Sequence, residues 1–443
     1  MDSDEREEFQ ISDGEIASIA EYFKAIAHPK RLNILKFLNL ENTSDFSRLK
    51  KLTDLSKTAL ANHLSQLENL KLIKRVERGH YEITEDGKNL VHNTITLYKR
   101  SQFSDMSTRQ SLSQEYMKFI SSIKMLSNIE FKRYWVSQLA SLHGCIEYLG
   151  VDISKPWLFG ITGHAFIINI KDHICPSGPT AWKNDMIIDC AKNIGIKIDN
   201  YCAETCYPDY EEKLKNGWEF IKSSINQKNP CYGWQIGEIK EFYIIYGYDN
   251  VGYYYKGYFQ EGGAGPRPWK DIGKMFIRLY SVKKANTQID HSTQVKIALQ
   301  MVLKHSRNPK DWIYKPDYTS GLEGFDRWIK WVDSGKAEQF GHAYNSRVWA
   351  ECRQEAVNFL QEAKSRLNNK LKPYLDKTIK KYETVAKNLT KIADLYPFDM
   401  NKLTIKPIGV NEKSKVATNL LKKAREAEAN GLLDLEKIIE NLE

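Results

Sequence analysis

Several things are scarce in this sequence. Residues 1 to 100 contain no cysteine, and the seven cysteines of the 443-residue chain (145, 175, 190, 202, 206, 231 and 352) are an odd, scattered set. That distribution argues against a disulfide framework and for a reducing compartment. Long apolar runs are missing too. The most apolar stretch, residues 157 to 170, is interrupted by Thr162, His164 and Asn169, so no membrane-spanning helix is expected. The first residues, Met1-Asp2-Ser3-Asp4-Glu5-Arg6-Glu7-Glu8-Phe9, are acidic where an export signal is basic and then apolar. A cytoplasmic protein without membrane contact is the expectation. Excess charge of one sign is small: 65 Lys and Arg against 56 Asp and Glu leave +9, too mild by itself to mark a nucleic-acid binder.

Apolar residues, at 42% with 12% aromatic, are ample for several cores, and the length allows about three domains. The basic residues are unevenly placed. Between Arg48 and His80 eight basic side chains (48, 50, 51, 57, 71, 74, 75, 78) face three acidic ones (54, 68, 77). That cluster falls on a recognisable order of elements. Ile16, Ile19, Ala20, Phe23, Ile26 and Ala27 recur at helical spacing, and Pro29 opens a second helix carrying Leu32, Ile34, Leu35 and Leu38. Ser44 is placed to cap a third helix to about Leu52, and Ser56 a fourth over residues 57 to 70, with Leu60, Leu64, Leu67 and Leu70 inward. Strands over 72–76 and 81–84 flank Arg78-Gly79-His80, a hairpin with a basic tip.

Over residues 15 to 95 the chain resembles the ArsR-type winged-helix repressors. The resemblance is carried by Ile26-Ala27-His28-Pro29-Lys30-Arg31-Leu32-Asn33-Ile34-Leu35, by Ala59-Leu60-Ala61-Asn62-His63-Leu64-Ser65-Gln66-Leu67 and by Leu70-Lys71-Leu72-Ile73. It implies a winged helix-turn-helix that binds duplex DNA as a homodimer. A recognition helix reads base edges with its N-terminal polar side chains while the wing grips phosphate. Lys57, Thr58, Asn62 and His63 are the candidates on the helix, and Arg78 and His80 those on the wing. Metal sensing, for which these repressors are known, needs clustered thiolates or imidazoles. His28, His63, His80 and His92 are not at ligand spacing, so neither metal nor other cofactor is assigned.

Residues 85 to 128 read as one long polar helix with a weak apolar stripe, and 101–130 as a linker or dimerisation segment. From Phe131 the composition turns aromatic and glycine-rich. Residues 131 to 149 are helical by period, 158 to 170 strand-like, 241 to 258 two strands joined by an Asp249-Asn250 turn, and 275 to 280 a last strand. This stretch resembles the papain-like domain of butirosin biosynthesis protein H and its relatives, and Ser320 to Trp328 with Trp349 to Leu360 resembles that family's C-terminal part. The family implies a nucleophile opening the first helix and a histidine opening the strand that ends in Gly247-Tyr248-Asp249. Here the only cysteine in the helix is Cys145, late in it. Counting back from Gly150 places Ser137 near the nucleophile position, and Glu241 and Phe242 stand where the histidine belongs. Without imidazole, activation of a nucleophile fails, and a non-catalytic small-molecule sensor is expected, with no catalytic residues.

Aromatic walls and a polar contact for the effector are sought in Trp157, His164, Tyr243 and Trp269. Cys202-x-x-x-Cys206 with Cys175 and His173 fits no closed zinc pattern. Residues 261 to 269, rich in glycine, read as a mobile loop or lid, and residues 344 to 396, broken at Pro373, and 411 to 440 as amphipathic helices. The expected protein is therefore α+β: a winged helix-turn-helix (1–100), the linker (101–130), a papain-like domain with an antiparallel sheet (131–285), its helical part (286–400) and C-terminal helices (401–443). The expected function is a ligand-responsive, DNA-binding transcriptional regulator answering to an unidentified small-molecule effector. The alternative is an acyltransferase or amide hydrolase using Cys145 or Ser137, fused to a DNA-binding domain.

Overall fold

The computed structural model describes residues 27–100 and 123–442, apart from 184, 205–208, 274, 275, 286, 288 and 403, together with scattered positions before residue 27. The chain divides into two compact units, 1–120 and 121–443, and both combine helices with antiparallel sheet.

The first unit runs α1 (Pro29–Glu41), β1 (Thr43–Asp45), α2 (Phe46–Thr53), α3 (Lys57–Asn69), β2 (Ile73–Glu77), β3 (His80–Ile83) and α4 (Glu85–Arg100). Pro29 starts α1 because its missing N–H would find no intrahelical partner there. Ser56 caps α3, accepting from the Ala59 amide at 3.2 Å. Ser44 does not cap α2 as expected. It pairs with Tyr81 in the sheet β1-β3-β2, and Asp45, one residue later, is the cap, accepting from the Arg48 amide at 2.9 Å; its carboxylate is at least as good a cap as a hydroxyl. Leu60, Leu64 and Leu67 of α3 recur every three or four residues and meet Ile34, Leu35, Leu38, Leu49, Leu72 and Ile83 in one core. Of the polar helix expected over 85 to 128, the described residues show α4 to Arg100 and no helix over 123–128. Residues 101–122, and with them most of the expected linker or dimerisation segment, lie outside the described residues.

The second unit contains β4 (Lys124–Met125), α5 (Ser137–Tyr148), α6 (Lys155–Ile161), β5 (Asn169–Lys171), α7 (Asp185–Ala191), β6 (Ile196–Glu204), α8 (Tyr210–Asn226), β7 (Cys231–Trp234), β8 (Phe242–Tyr248), β9 (Gly252–Lys256), β10 (Ala264–Pro268), β11 (Phe276–Lys284), α9 (His291–Arg307), β12 (Tyr318–Ser320), α10 (Gly321–Asp333), α11 (Gln339–Arg366), α12 (Lys372–Leu395) and α13 (Glu412–Asn441). Its main sheet is antiparallel in the order β10-β9-β8-β7-β11-β6, with β4 also on β8. The period of two sorts the side chains of β8. Phe242 and Ile244 face a core shared with α5, α6 and the C-terminal helices, while Tyr243 and Ile245 face a second core with Trp218 and Ile221 of α8. Between β8 and β9 the Asp249 carboxylate accepts from the amides of Val251 and Gly252 at 2.7 and 3.0 Å, which makes the expected turn.

Other expectations need correction. Residues 131–136 are not helical, and α5 begins only at Ser137. Of the strand-like run 158 to 170, residues 158–161 end α6, which is capped by Ser154 with Pro156 in its first turn, His164–Phe166 form one 3-10 turn, and only Asn169–Lys171 is strand. A continuous apolar run carries no period, and Ser154-Lys155-Pro156 is a helix start that outweighs it. The glycine-rich segment 261 to 269 is in part the strand β10, paired to β9, rather than a free lid. The helices α11, α12 and α13 pack on one another, and a single apolar core extends from Ile129 to Leu442, so 131–285, 286–400 and 401–443 form one unit. At its centre the Arg353 guanidinium grips Glu428 at 2.8 and 2.9 Å and the carbonyls of Ala165 and Ile167 at 3.0 and 2.8 Å, tying α11 to α13. Among the described residues no helix is long and apolar enough to cross a membrane.

Candidate functional site

In the first unit α3 turns Lys57, Thr58, Ala61, Asn62, Ser65 and Gln66 to solvent. This face has small residues at its middle positions and no carboxylate. Beside it, Arg78 and His80 are exposed around Gly79, whose φ of 85° suits the hairpin tip. Lys74 and Arg75 are held by Glu82 at 3.1 Å and Glu68 at 3.9 Å. Lys57, Lys71 and Arg78 pair with no carboxylate among the described residues, so their charge is turned outward. His63 departs from expectation. Adjacent to the core position Leu64, it is half-buried with its ring 4.5 Å from that of His28, and burial, then the charges of His28 and Arg31, lower its pKa. It belongs to the packing of α3 rather than to its outer face.

In the second unit a small cleft opens at the start of α5. Gly144 lets this helix lie close on the sheet, since a Cβ there would stand 2.0 Å from the Glu130 carbonyl oxygen and 2.7 Å from Ile244. The approach brings Ser137, first residue of α5, against the residue preceding β8. The Ser137 hydroxyl donates to Glu241 Oε2 and accepts from the Phe242 amide at 3.1 Å. Tyr344 of α11 donates to the other oxygen, Oε1, at 2.6 Å. Burial pushes the Glu241 carboxyl up to about 7, against the lowering effect of its two hydroxyl donors. Trp135, Gln138, His164, Pro179, Thr180 and Val348 complete the walls, leaving about 10 Å³, room for one water molecule. His164 Nδ1 lies 3.6 Å from Cys352 Sγ, and burial holds its pKa near 3, so it stays neutral.

The four residues expected around an effector do not meet. His164 lines the cleft. Trp157 is buried with its indole N–H on Gln294 at 3.0 Å and its ring beneath Arg366. Tyr243 points to the other face of the sheet, one residue out of phase with Phe242, and Trp269 stacks on Trp218 there, 6.1 Å between centroids. Cys145 is fully buried, donates to the Cys231 carbonyl at 3.7 Å and has its thiol pKa pushed well up by burial, which makes it inert as a nucleophile. The possible zinc ligands also separate. Cys175 lies 3.2 Å from the Ser177 hydroxyl, the His173 ring is on Trp331, Cys202 is exposed on β6, and Cys206 is outside the described residues. Among the described residues no group of three His, Cys, Asp or Glu side chains is arranged for a metal ion.

A larger hollow, about 360 Å³, lies along the segment joining α9 to α10, within the range of small-molecule sites. Pro309, Lys310, Tyr314, Lys315, Tyr318 and Arg327 line it with Ile313, Pro316, Thr319 and Glu323. Arg327 is steadied by Asp172 at 2.9 Å and the Asp317 carbonyl at 2.6 Å. No local signal in the sequence points to this hollow, nor to Tyr344, Trp135 or Thr180.

The class defined by fold and sites is a two-unit protein of mixed helices and antiparallel sheet, with a polar, carboxylate-free helix face beside a basic hairpin tip in one unit and a serine–carboxylate cleft in the other. No protein-family model matches the chain, and no curated protein matches it.

Proposed function

We propose that the protein is a ligand-responsive, DNA-binding transcriptional regulator that acts as a homodimer. The observation that carries this reading is the outer face of α3, free of carboxylates, beside a hairpin whose tip exposes Arg78 and His80. In a winged helix the small Ala61 and Ser65 let α3 lie close in the major groove, Lys57, Thr58 and Asn62 reach base edges, and Arg78 and His80 hold phosphate. One such helix covers only a few base pairs, so two copies over an inverted repeat supply affinity and specificity. The effector is assigned to the hollow beside Tyr314 and Tyr318, where two phenol rings and the cations Lys310, Lys315 and Arg327 suit a planar, anionic small molecule. It acts by binding the DNA-competent and incompetent states unequally, which for typical couplings changes DNA affinity about 5- to 150-fold.

The reading is tested by selecting duplexes from a random library with the full-length protein and footprinting the selected site. Lys57→Ala with Asn62→Ala is expected to weaken specific binding by about 1 to 3 kcal/mol for each base that is no longer read. Arg78→Ala is expected to weaken binding to every sequence and to reduce the salt slope by about 1. An unaltered footprint with the Lys57/Asn62 variant would show that α3 is not the reading helix. A native mass spectrum of protein purified from its host reports the dimer mass and any retained effector.

A further inference from the structure

We propose that Ser137 is a nucleophilic serine, with Glu241 as its general base, and that it accepts a short acyl group from an activated ester. The inference goes beyond the regulatory reading and uses none of its residues. The sequence places no imidazole at the strand opening, and that absence reads as the loss of a base. What a base needs, however, is reach and a suitable affinity for the proton. Glu241 has the reach, since it accepts directly from the Ser137 hydroxyl. Burial gives it the affinity, because a carboxyl held at about 7 is as basic as an ordinary imidazole. Tyr344 fixes the second oxygen and the Phe242 amide fixes the serine oxygen, so the pair is oriented without a third residue.

The surroundings suit the charge that would develop. Val136, the residue before α5, provides no side-chain cap, and the first N–H groups of a helix have no intrahelical partner and carry partial positive charge. Ser137 and Gln138 contribute two of them. The Gln138 side-chain amide, more than nine-tenths buried in the same wall, makes no well-formed hydrogen bond through its nitrogen, although it interacts with the Tyr232 phenol. In the reaction the Ser137 Oγ–carbonyl carbon bond forms while the hydroxyl proton passes to Glu241, and the carbonyl oxygen becomes an oxyanion facing these donors. The oxyanion then collapses, the bond to the leaving oxygen breaks, and Glu241 returns the proton to that oxygen. The acyl group remains as an ester on Ser137. Room for about one water molecule is less than an acetyl group fills, so the walls have to part for even the shortest acyl chain.

The test is to incubate the full-length protein with p-nitrophenyl acetate and map acetyl groups by peptide mass spectrometry. The expected result is one acetyl group on Ser137, absent in Ser137→Ala, with acetylation slowed about 100-fold or more in Glu241→Gln. The wild-type rate should rise with pH through about 7 as Glu241 becomes a carboxylate. Other groups facing it do not titrate there: the phenols of Tyr344, Tyr243 and Tyr258 are pushed up by burial, and His164 stays neutral. Glu351, beside the same helix start, also has its carboxyl raised by burial, against the lowering pull of Lys155 at 2.9 Å. The same pH profile in Glu351→Gln as in the wild type assigns it to Glu241 even if Glu241→Gln does not fold, and a profile lost in Glu351→Gln would overturn the assignment. Acetyl groups on lysines alone, a pH-independent rate at Ser137, or an unchanged rate in folded Glu241→Gln would overturn the proposal.

Discussion

Glu428→Ala should be among the most damaging single changes in the second unit. The guanidinium of Arg353 is wholly buried, and Glu428 is almost so. Two of the four hydrogen bonds to Arg353 come from that carboxylate and two from the carbonyls of Ala165 and Ile167. Truncating Glu428 leaves the carbonyls but removes the one carboxylate among the described residues that accepts from Arg353, so a full positive charge stays in an apolar core with dipoles to solvate it. Breaking such a pair costs about 3 to 5 kcal/mol, roughly 6 to 10 °C in Tm at about 2 °C per kcal/mol for a unit of this size. Urea unfolding followed by tryptophan fluorescence should show the loss as a lower midpoint at unchanged slope. The double variant Arg353→Met with Glu428→Leu should recover most of it, because removing both partners removes the desolvated charge. The reasoning fails if Glu428→Ala lies within about 1 kcal/mol of the wild type, or if the double variant is no more stable than the single one.

Three further outcomes are expected. His164, His305 and His342 are held near 3 by burial, so they stay neutral when folded but protonate below about 6.5 when unfolded; stability should fall with acid by about 4 kcal/mol per pH unit below pH 6. Glu241, protonated near 7 in the fold, gives back about 1.4 of this per unit down to about pH 4.5, and urea midpoints that do not change between pH 7.5 and 5 would contradict the burial of the histidines. Gly160→Ala would put a Cβ 2.0 Å from the Phe359 ring and should cost about 1 to 3 kcal/mol, with partial recovery by Phe359→Leu, measured by thermal denaturation. In native protein at pH 8, iodoacetamide should alkylate Cys202, which is exposed although burial raises its thiol pKa too, and spare Cys145, Cys190, Cys231 and Cys352, which are buried with raised thiol pKa values; mass mapping that finds Cys145 modified would refute its burial.

What can be read from the sequence is whatever local chemistry decides. The leucine spacing and Ser56 cap of α3, the Arg78-Gly79-His80 hairpin and the Asp249 turn depend on residues close together in the chain, and each appears as expected. Counting back from Gly150 locates Ser137, and it opens α5. The partners of Ser137 are not legible in the same way. Tyr344 is on a helix two hundred residues away, and Glu241 looks like a vacancy because a carboxylate in water is a poor base; only burial changes that. The expected effector site fails for another reason. Tyr243 differs from Phe242 by one position, and in a strand one position is the difference between opposite faces of the sheet.

The core that runs from Ile129 to Leu442 has a consequence for how the protein is made. A ribosome adding about 5 to 20 residues per second needs roughly 15 to 60 s to pass from the first of these side chains to the last. During that interval Trp349, Phe359 and Leu389 are already synthesised, but Leu421, Leu435 and Ile438 of α13, which cover the same core, are not. Arg353 likewise waits for Glu428. The nascent second unit thus spends most of its synthesis with apolar surface and a charged core residue uncovered, a natural client for a holding chaperone. The first unit, whose core closes on α4, can fold long before, so it emerges in its final form while the rest of the chain is still being translated.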